Sequence, residues 1–159
     1  MAWLLGAGES SDGYHMSSPH PEGAGAAQAM RGALDSAGLP ASAVDYLNLH
    51  GTGTPNNDSA EDAAVCAVFG NALPCSSTKA ATGHTLGAAG GVEAAIAVLA
   101  LQHGLMPGVK AADDQRHEPD PALHAHYLSA PQARALSVVA SNSFGFGGSN
   151  SCLVFGAAS

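Results

Sequence analysis

The chain has little charge and still less positive charge. Only 11% of its 159 residues are charged, and Arg31, Lys79, Lys110, Arg116 and Arg134 are the only basic side chains in a formal net charge of −8. Five scattered cations build no basic stripe, which argues against nucleic acid as a ligand. Three cysteines, Cys66, Cys75 and Cys152, form neither a CxxC pair nor an even-numbered framework, and so point to a reducing compartment. The N-terminus lacks a charged segment followed by a long apolar one, so no signal peptide is expected and the cytoplasm is the expected location. Asn57-Asp58-Ser59 fits a glycosylation sequon, but without secretion it is a chance match. Neither a Gly-x-x-x-x-Gly-Lys-Ser/Thr phosphate loop nor the dinucleotide fingerprint occurs. His15 and His20 have no third ligand nearby, and the strand-like alternation of His124 and His126 is the one other spacing a zinc ion could use. No metal site is expected.

Small and apolar residues are plentiful. Hydrophobic residues make up 46% of the chain, enough for the core of one domain, while aromatics reach only 5%. Disorder is excluded, and the interior must be packed from small side chains. The stretch Ser76–Leu101, SSTKAATGHTLGAAGGVEAAIAVLAL, dominates the pattern. After His84 its only charge is Glu93, so it reads as a helix covered on more than one face. Gly83, Gly87 and Gly91 recur every four residues and should lie along one side, where a second backbone can come close. A solvated linker is the alternative, and Val92, Ile96, Val98, Leu99 and Leu101 argue against it. A membrane span needs about 20 apolar residues; the run from Leu86 to Leu101 is shorter and carries Glu93.

In chain order, Trp3–Ala7 reads as a short strand with no earlier element to pair with, as if the chain began in mid-fold. An irregular loop through Pro19 and Pro21 follows. Ala24–Ala37 has helical spacing and Gly38 at its stop. Val44–Leu49 is a strand ending at His50. After Gly51-Thr52-Gly53-Thr54, Asp58 is a credible N-cap for a helix running to Phe69 and stopping at Gly70. Pro74–Thr78 is a short strand, and Gly104 and Pro107 end the central helix. Val109–Pro131 reads as a polar connection. Leu136–Ala140 and Ser151–Phe155 are strands around a glycine-rich loop, Ser141–Asn150. Alternating strands and helices with a closing hairpin describe an α/β domain with a mixed sheet and a buried glycine-rich helix.

Polar loops at element ends are where sites form. Three stand out: HGTGT from His50, STKAATGH ending at His84 and running into LGAAGGVE, and NSFGFGG around Phe144. In this order they closely resemble the C-terminal half of the β-ketoacyl-acyl carrier protein synthases, with similarity extending from about Gly6 to Phe155 and including SSDGYHMSSPHPEGAG. The resemblance implies half of a thiolase-like fold, in which the central helix lies between two sheets. Residues 1–159 would be that C-terminal half-domain, with the nucleophilic cysteine in an absent N-terminal half.

The implied chemistry is decarboxylative Claisen condensation of an acyl thioester with malonyl-acyl carrier protein, in fatty-acid synthesis. By resemblance His50 and His84 are the catalytic histidines that donate N–H groups to the thioester oxygen, and Lys79 orders the site. Glu93, on the buried helix, is the expected charge partner of Lys79, since either alone would be costly to bury. Thr52 and Thr54 match the hydroxyls that bind the phosphopantetheine arm, and Phe144 matches the gating residue. No cofactor is implied beyond the phosphopantetheine that the carrier protein brings. The implied partners are an acyl carrier protein, the missing N-terminal half and, when complete, a second copy in a homodimer; no membrane partner is implied.

Cys66, Cys75 and Cys152 read as small buried hydrophobes, because none opens a buried helix where the dipole would favour a thiolate. The chain alone should therefore be inactive. The other readings are a non-catalytic partner of chain-length-factor type and a ketosynthase of polyketide or polyene synthesis.

Overall fold

A computed structural model describes residues 1–109 and 120–158. Lys110 and Arg116, and much of the connection expected between Val109 and Pro131, lie outside the described residues. The elements run β1 (Ala2–Ser11), α1 (Ala24–Ala37), β2 (Tyr46–Asn48), α2 (Pro55–Phe69), β3 (Pro74–Ser76), α3 (Lys79–Thr82), α4 (Ala89–His103), β4 (Leu105–Met106), β5 (His126–Tyr127), β6 (Gln132–Ala133), β7 (Val138–Gly145) and β8 (Ser149–Ala157). Six strands form one mixed sheet in the order β1-β8-β7-β2-β3-β5, and β4 pairs with β6 apart from it. The pairings β1/β8 and β8/β7 are antiparallel; β7/β2, β2/β3 and β3/β5 are parallel.

Strand alternation sends neighbouring side chains to opposite faces, and the core divides accordingly. Leu47, Ala140, Cys152 and Val154 pack with Met30 and Leu34 of α1 and Val65 of α2. Tyr46, Val139 and Phe155 face the other way, onto Ala97, Ala100 and Leu101 of α4. The sheet is a middle layer whose β2 and β3 ends present residues to both sides.

Several expectations are refined or change. The first strand is longer than expected, Ala2–Ser11, and pairs with a later element, running antiparallel to β8 from Ala2↔Ala157 to Ser11↔Ser149. Strand β7 continues to Gly145 against Ser149, so the supposed Ser141–Asn150 loop shrinks to the turn around Phe146, Gly147 and Gly148. The cap of α2 is Thr54, with Pro55 in the first turn, not Asp58; proline suits a position whose N–H has no helical partner. Asp58 instead accepts the N–H of Gly53 at 3.3 Å. The segment expected to be a polar connection contributes β5 to the sheet edge, at the place where His124 and His126 alternate like strand residues.

The glycine periodicity is also revised. Gly83 caps α3, Gly87 lies in a 3-10 turn and Gly91 in α4, so they share no helix face. A Cβ on Gly87 or Gly91 would meet nothing within 4 Å, whereas one on Gly90 would come to 3.1 Å from the Ser143 hydroxyl. Within the chain α4 buries Ala89, Glu93, Ala97, Ala100 and Leu101, while Gly91, Ala95 and Leu99 are exposed. The helix is thus covered on one side here, against the expectation of cover on more than one face. Leu86–His103 has the length and hydropathy of a membrane span, but its inward face packs on the sheet and holds a buried carboxylate.

Candidate active site

His50 follows β2, whose pairing is prolonged by the Leu49 N–H donating to the Ser76 carbonyl at 2.9 Å. The next residue has to be glycine: Gly51 sits at φ 40°, and a Cβ there would lie 2.5 Å from that of Ser77. The Ser77 hydroxyl donates to the Gly51 carbonyl at 2.7 Å and ties the two loops together. His84 comes from the second loop, after α3 and the capping Gly83 at φ 74°. The two imidazole centroids are 5.5 Å apart with planes at 83°. The Phe144 ring, on β7, lies 5.5 Å from His50 on another side.

Lys79 opens α3 and is buried. Its ammonium donates to the His50 carbonyl and to Oε1 of Glu93 and lies 3.4 Å from Nδ1 of His50. Glu93 comes from the inward face of α4, and burial raises its carboxyl pKa against the opposing pull of Lys79. The site therefore joins β2, α3, α4 and β7.

Hydrogen-bond partners assign the tautomers. An ammonium can only donate, so the His50 Nδ1 beside it is the lone-pair nitrogen and Nε2 carries the proton. At His84 the Leu86 backbone N–H donates to Nδ1 at 3.2 Å, which likewise leaves the proton of the neutral ring on Nε2. Burial, then the Lys79 charge and then His84, lowers the His50 pKa to about 3, so its ring is neutral across the physiological range. His84 is exposed and open to approach, while His50 is 6% exposed.

A cleft of about 870 Å³ has Lys79, His84, Thr52, Gly51 and Ser77 among its wall residues. The Thr52 and Thr54 hydroxyls are 2.9 Å apart; Thr52 lines the cleft, and Thr54 lies at the start of α2. Among the described residues no group of three or more His, Cys, Asp or Glu side chains is placed to hold a metal ion. Both buried thiols are pushed up, Cys152 to about 12 and Cys75 further, chiefly by burial, which disfavours the reactive thiolate.

Two residues escaped the sequence reading. Glu61, buried in α2, accepts the N–H of His50 at 2.9 Å, that of Gly51 at 2.8 Å and the Asn142 amide at 3.1 Å. Burial pushes its carboxyl up to about 7 despite these donors. The signal was there: adjacent acids, Glu61 and Asp62, inside a helix otherwise lined with alanine and valine. The other is Phe146, 85% exposed between Gly145 and Gly147 at the β7–β8 turn.

Two imidazoles 5.5 Å apart, His84 in the cleft lining and His50 buried, are held on a mixed sheet with helices on both faces, which is half of a thiolase-like fold. The chain belongs to the β-ketoacyl synthase family, whose C-terminal domain model matches residues 1–112. It is 41% identical to the mitochondrial 3-oxoacyl-[acyl-carrier-protein] synthase of Arabidopsis thaliana, over 97% of this chain and 34% of that protein. Among solved structures it resembles a ketosynthase (ApeO) in complex with its chain length factor (ApeC) from Xenorhabdus doucetiae, at 48% identity and TM-score 0.92, covering 99% of this chain and 39% of the other. It also resembles a chain of the complex of AntDE with AntF, a type II polyketide acyl-carrier protein with its ketosynthase, at 28% identity and TM-score 0.91 over 99% of this chain and 39% of that one. The chain thus spans roughly a third of the curated relative's length.

Proposed function

We propose that the chain is the C-terminal half of a 3-oxoacyl-acyl carrier protein synthase and carries its decarboxylation machinery. Malonyl thioester loses its carboxylate as carbon dioxide; the electron pair of the broken C–C bond moves into the enolate, whose oxygen takes up the charge. His50 and His84 donate their Nε2–H groups to that oxygen. The carbanion then bonds to the carbonyl carbon of an acyl chain held on a cysteine of the other half, and the cysteine leaves as thiolate. The observation that carries this reading is the paired imidazoles 5.5 Å apart with both Nδ1 atoms occupied.

Lys79 holds the His50 loop and tautomer, and Glu93 balances its charge so that the ammonium can stay buried. Thr52 and Thr54 hydrogen-bond the phosphopantetheine arm of an acyl carrier protein. The gating role assigned to Phe144 fits Phe146 better: Phe144 packs against His50 from within a strand, whereas Phe146 is exposed between glycines that permit motion. The uncovered side of α4 would pack against the N-terminal half, and the complete synthase would form a homodimer in the cytoplasm. One relative is described as mitochondrial, so compartment is not part of the fold's signature.

A second reading, a polyketide or polyene ketosynthase working beside a chain-length factor, is favoured by the 48% identity to the Xenorhabdus ketosynthase. A purely non-catalytic partner is disfavoured, since it has no need of the two oriented imidazoles. The test is carbon dioxide release from malonyl-acyl carrier protein by this chain joined to, or co-expressed with, a first half carrying the cysteine. His84→Ala should lower release by about 100-fold or more, the usual loss of one oxyanion donor, while leaving acyl loading of the cysteine in place. Equal loss of both would make the histidine structural and defeat the proposal.

A further inference from the structure

We infer that Asp62 is a positioning residue that holds the Leu123 and Tyr127 part of the cleft lining in place, and that this part contacts the pantetheine arm. The inference rests on the functional reading above and deepens it. Asp62 follows Glu61 on α2 and is 5% exposed. Its carboxylate accepts the His124 N–H at 3.0 and 3.1 Å, the Ala125 N–H at 2.8 Å and the Tyr127 hydroxyl at 3.1 Å. Successive residues on a helix point about 100° apart. One turn of α2 therefore grips two separate strips of backbone, His50–Gly51 through Glu61 and His124–Tyr127 through Asp62.

Those strips border the same cleft. Its lining mixes hydroxyls, those of Thr52, Ser59 and Ser77, with the apolar Pro121 and Leu123 and with Tyr127. A lining that offers hydroxyls and hydrocarbon together fits a slender chain that carries both amides and methyl and methylene groups, which describes pantetheine. A carboxylate facing three donors holds the segment far more firmly than one neutral hydrogen bond would. Tyr127 lines the cleft and gives its hydroxyl to the clamp, so lining and clamp move together.

Asp62→Asn in the complete synthase is the test. It keeps the side-chain volume but turns an NH2 toward N–H donors, so the segment should come loose. The expected result is a rise of about fivefold to tenfold in KM for malonyl-acyl carrier protein with kcat held within about twofold, the pattern of lost uniform binding. Amide exchange of His124 and Ala125 should accelerate in the same variant. Leu123→Trp, which leaves the clamp intact and fills the cleft, should raise KM in the same way without changing that exchange. An unchanged KM in both variants, an equal fall in kcat, or unaltered exchange in Asp62→Asn overturns the inference while leaving the two-histidine reading standing. A wild-type synthase that releases no carbon dioxide overturns both, and is recognised because no variant is needed to see it.

Discussion

The depressed pKa of His50 makes a quantitative claim about acid stability. Its imidazole titrates near 6.5 in an unfolded chain and near 3 in the fold, because burial and the neighbouring Lys79 ammonium oppose a second charge. Between those values the unfolded state binds a proton that the native state refuses, so stability falls as pH drops through that window, by about 1.4 kcal/mol per unit. From pH 7 to pH 5 the loss is about 2 kcal/mol. Glu61 acts in the opposite sense. Its carboxyl is raised from 4.5 to about 7, so the native state binds the extra proton and gains about 2 kcal/mol over the same drop. The wild type should therefore hide the histidine. His50→Gln removes one side of the balance and leaves Glu61 in place. Urea denaturation of the wild type and His50→Gln at pH 5 and pH 7, in the protein that carries this chain, should give a stability difference that shifts by about 2 kcal/mol in favour of the wild type at the higher pH. A shift below about 0.5 kcal/mol would mean that His50 titrates normally, and the argument that its ring is held neutral by burial and Lys79 would fail.

Two further predictions concern the frame around the site. An ideal Cβ on Gly8 would lie 2.1 Å from the Ala29 carbonyl oxygen of α1 and 2.3 Å from the Ala33 nitrogen, so Gly8→Ala should push helix off strand and cost about 1 to 3 kcal/mol, read as a fall in Tm; an unchanged Tm would refute the close packing. Leu86 sits at φ 53° with its side chain 77% exposed, a conformation costing a leucine about 1 to 2 kcal/mol. Leu86→Gly should therefore leave stability within about 0.5 kcal/mol of wild type, relief of strain offsetting the entropy of glycine, whereas Leu86→Val should destabilise; equal behaviour of the two in denaturation would refute the strain.

What could be read from the sequence was whatever a short stretch specifies by itself. Helix α1 came out with its ends and its stop because Ala26, Met30, Ala33, Leu34 and Gly38 obey one period and one capping rule. His50, Lys79 and His84 stood out locally only as polar residues of loops at element ends, and their roles came from the resemblance of three motifs taken in order; Glu93 was expected beside Lys79 because either charge alone would be costly to bury. Their meeting was not legible: β2 and α3 converge only because β3 lies parallel to β2 with Leu47 opposite Cys75, a fact of pairing that no window of ten residues contains. The polar SNSFG stretch read as loop because serine, asparagine and glycine are weak strand formers, and pairing with β8 overrode that preference.

The least legible residues were the pair of acids on α2, and they show how the site is held. A buried acid in a helix looks like a fault in amphipathic pattern until its acceptors are counted against donors that lie elsewhere in the chain. Glu61 answers the N–H groups of His50 and Gly51, left unpaired where β2 ends, and Asp62 answers those of His124 and Ala125 beside the sheet-edge strand β5. Buried backbone donors without partners would be costly at both places. Helix α2 supplies the acceptors for both from successive residues, so the spacing between the His50–Gly51 and His124–Ala125 segments is set by one rigid element. His50 is thus positioned by Lys79 and Glu61, whereas His84 is oriented by the Leu86 N–H on its Nδ1.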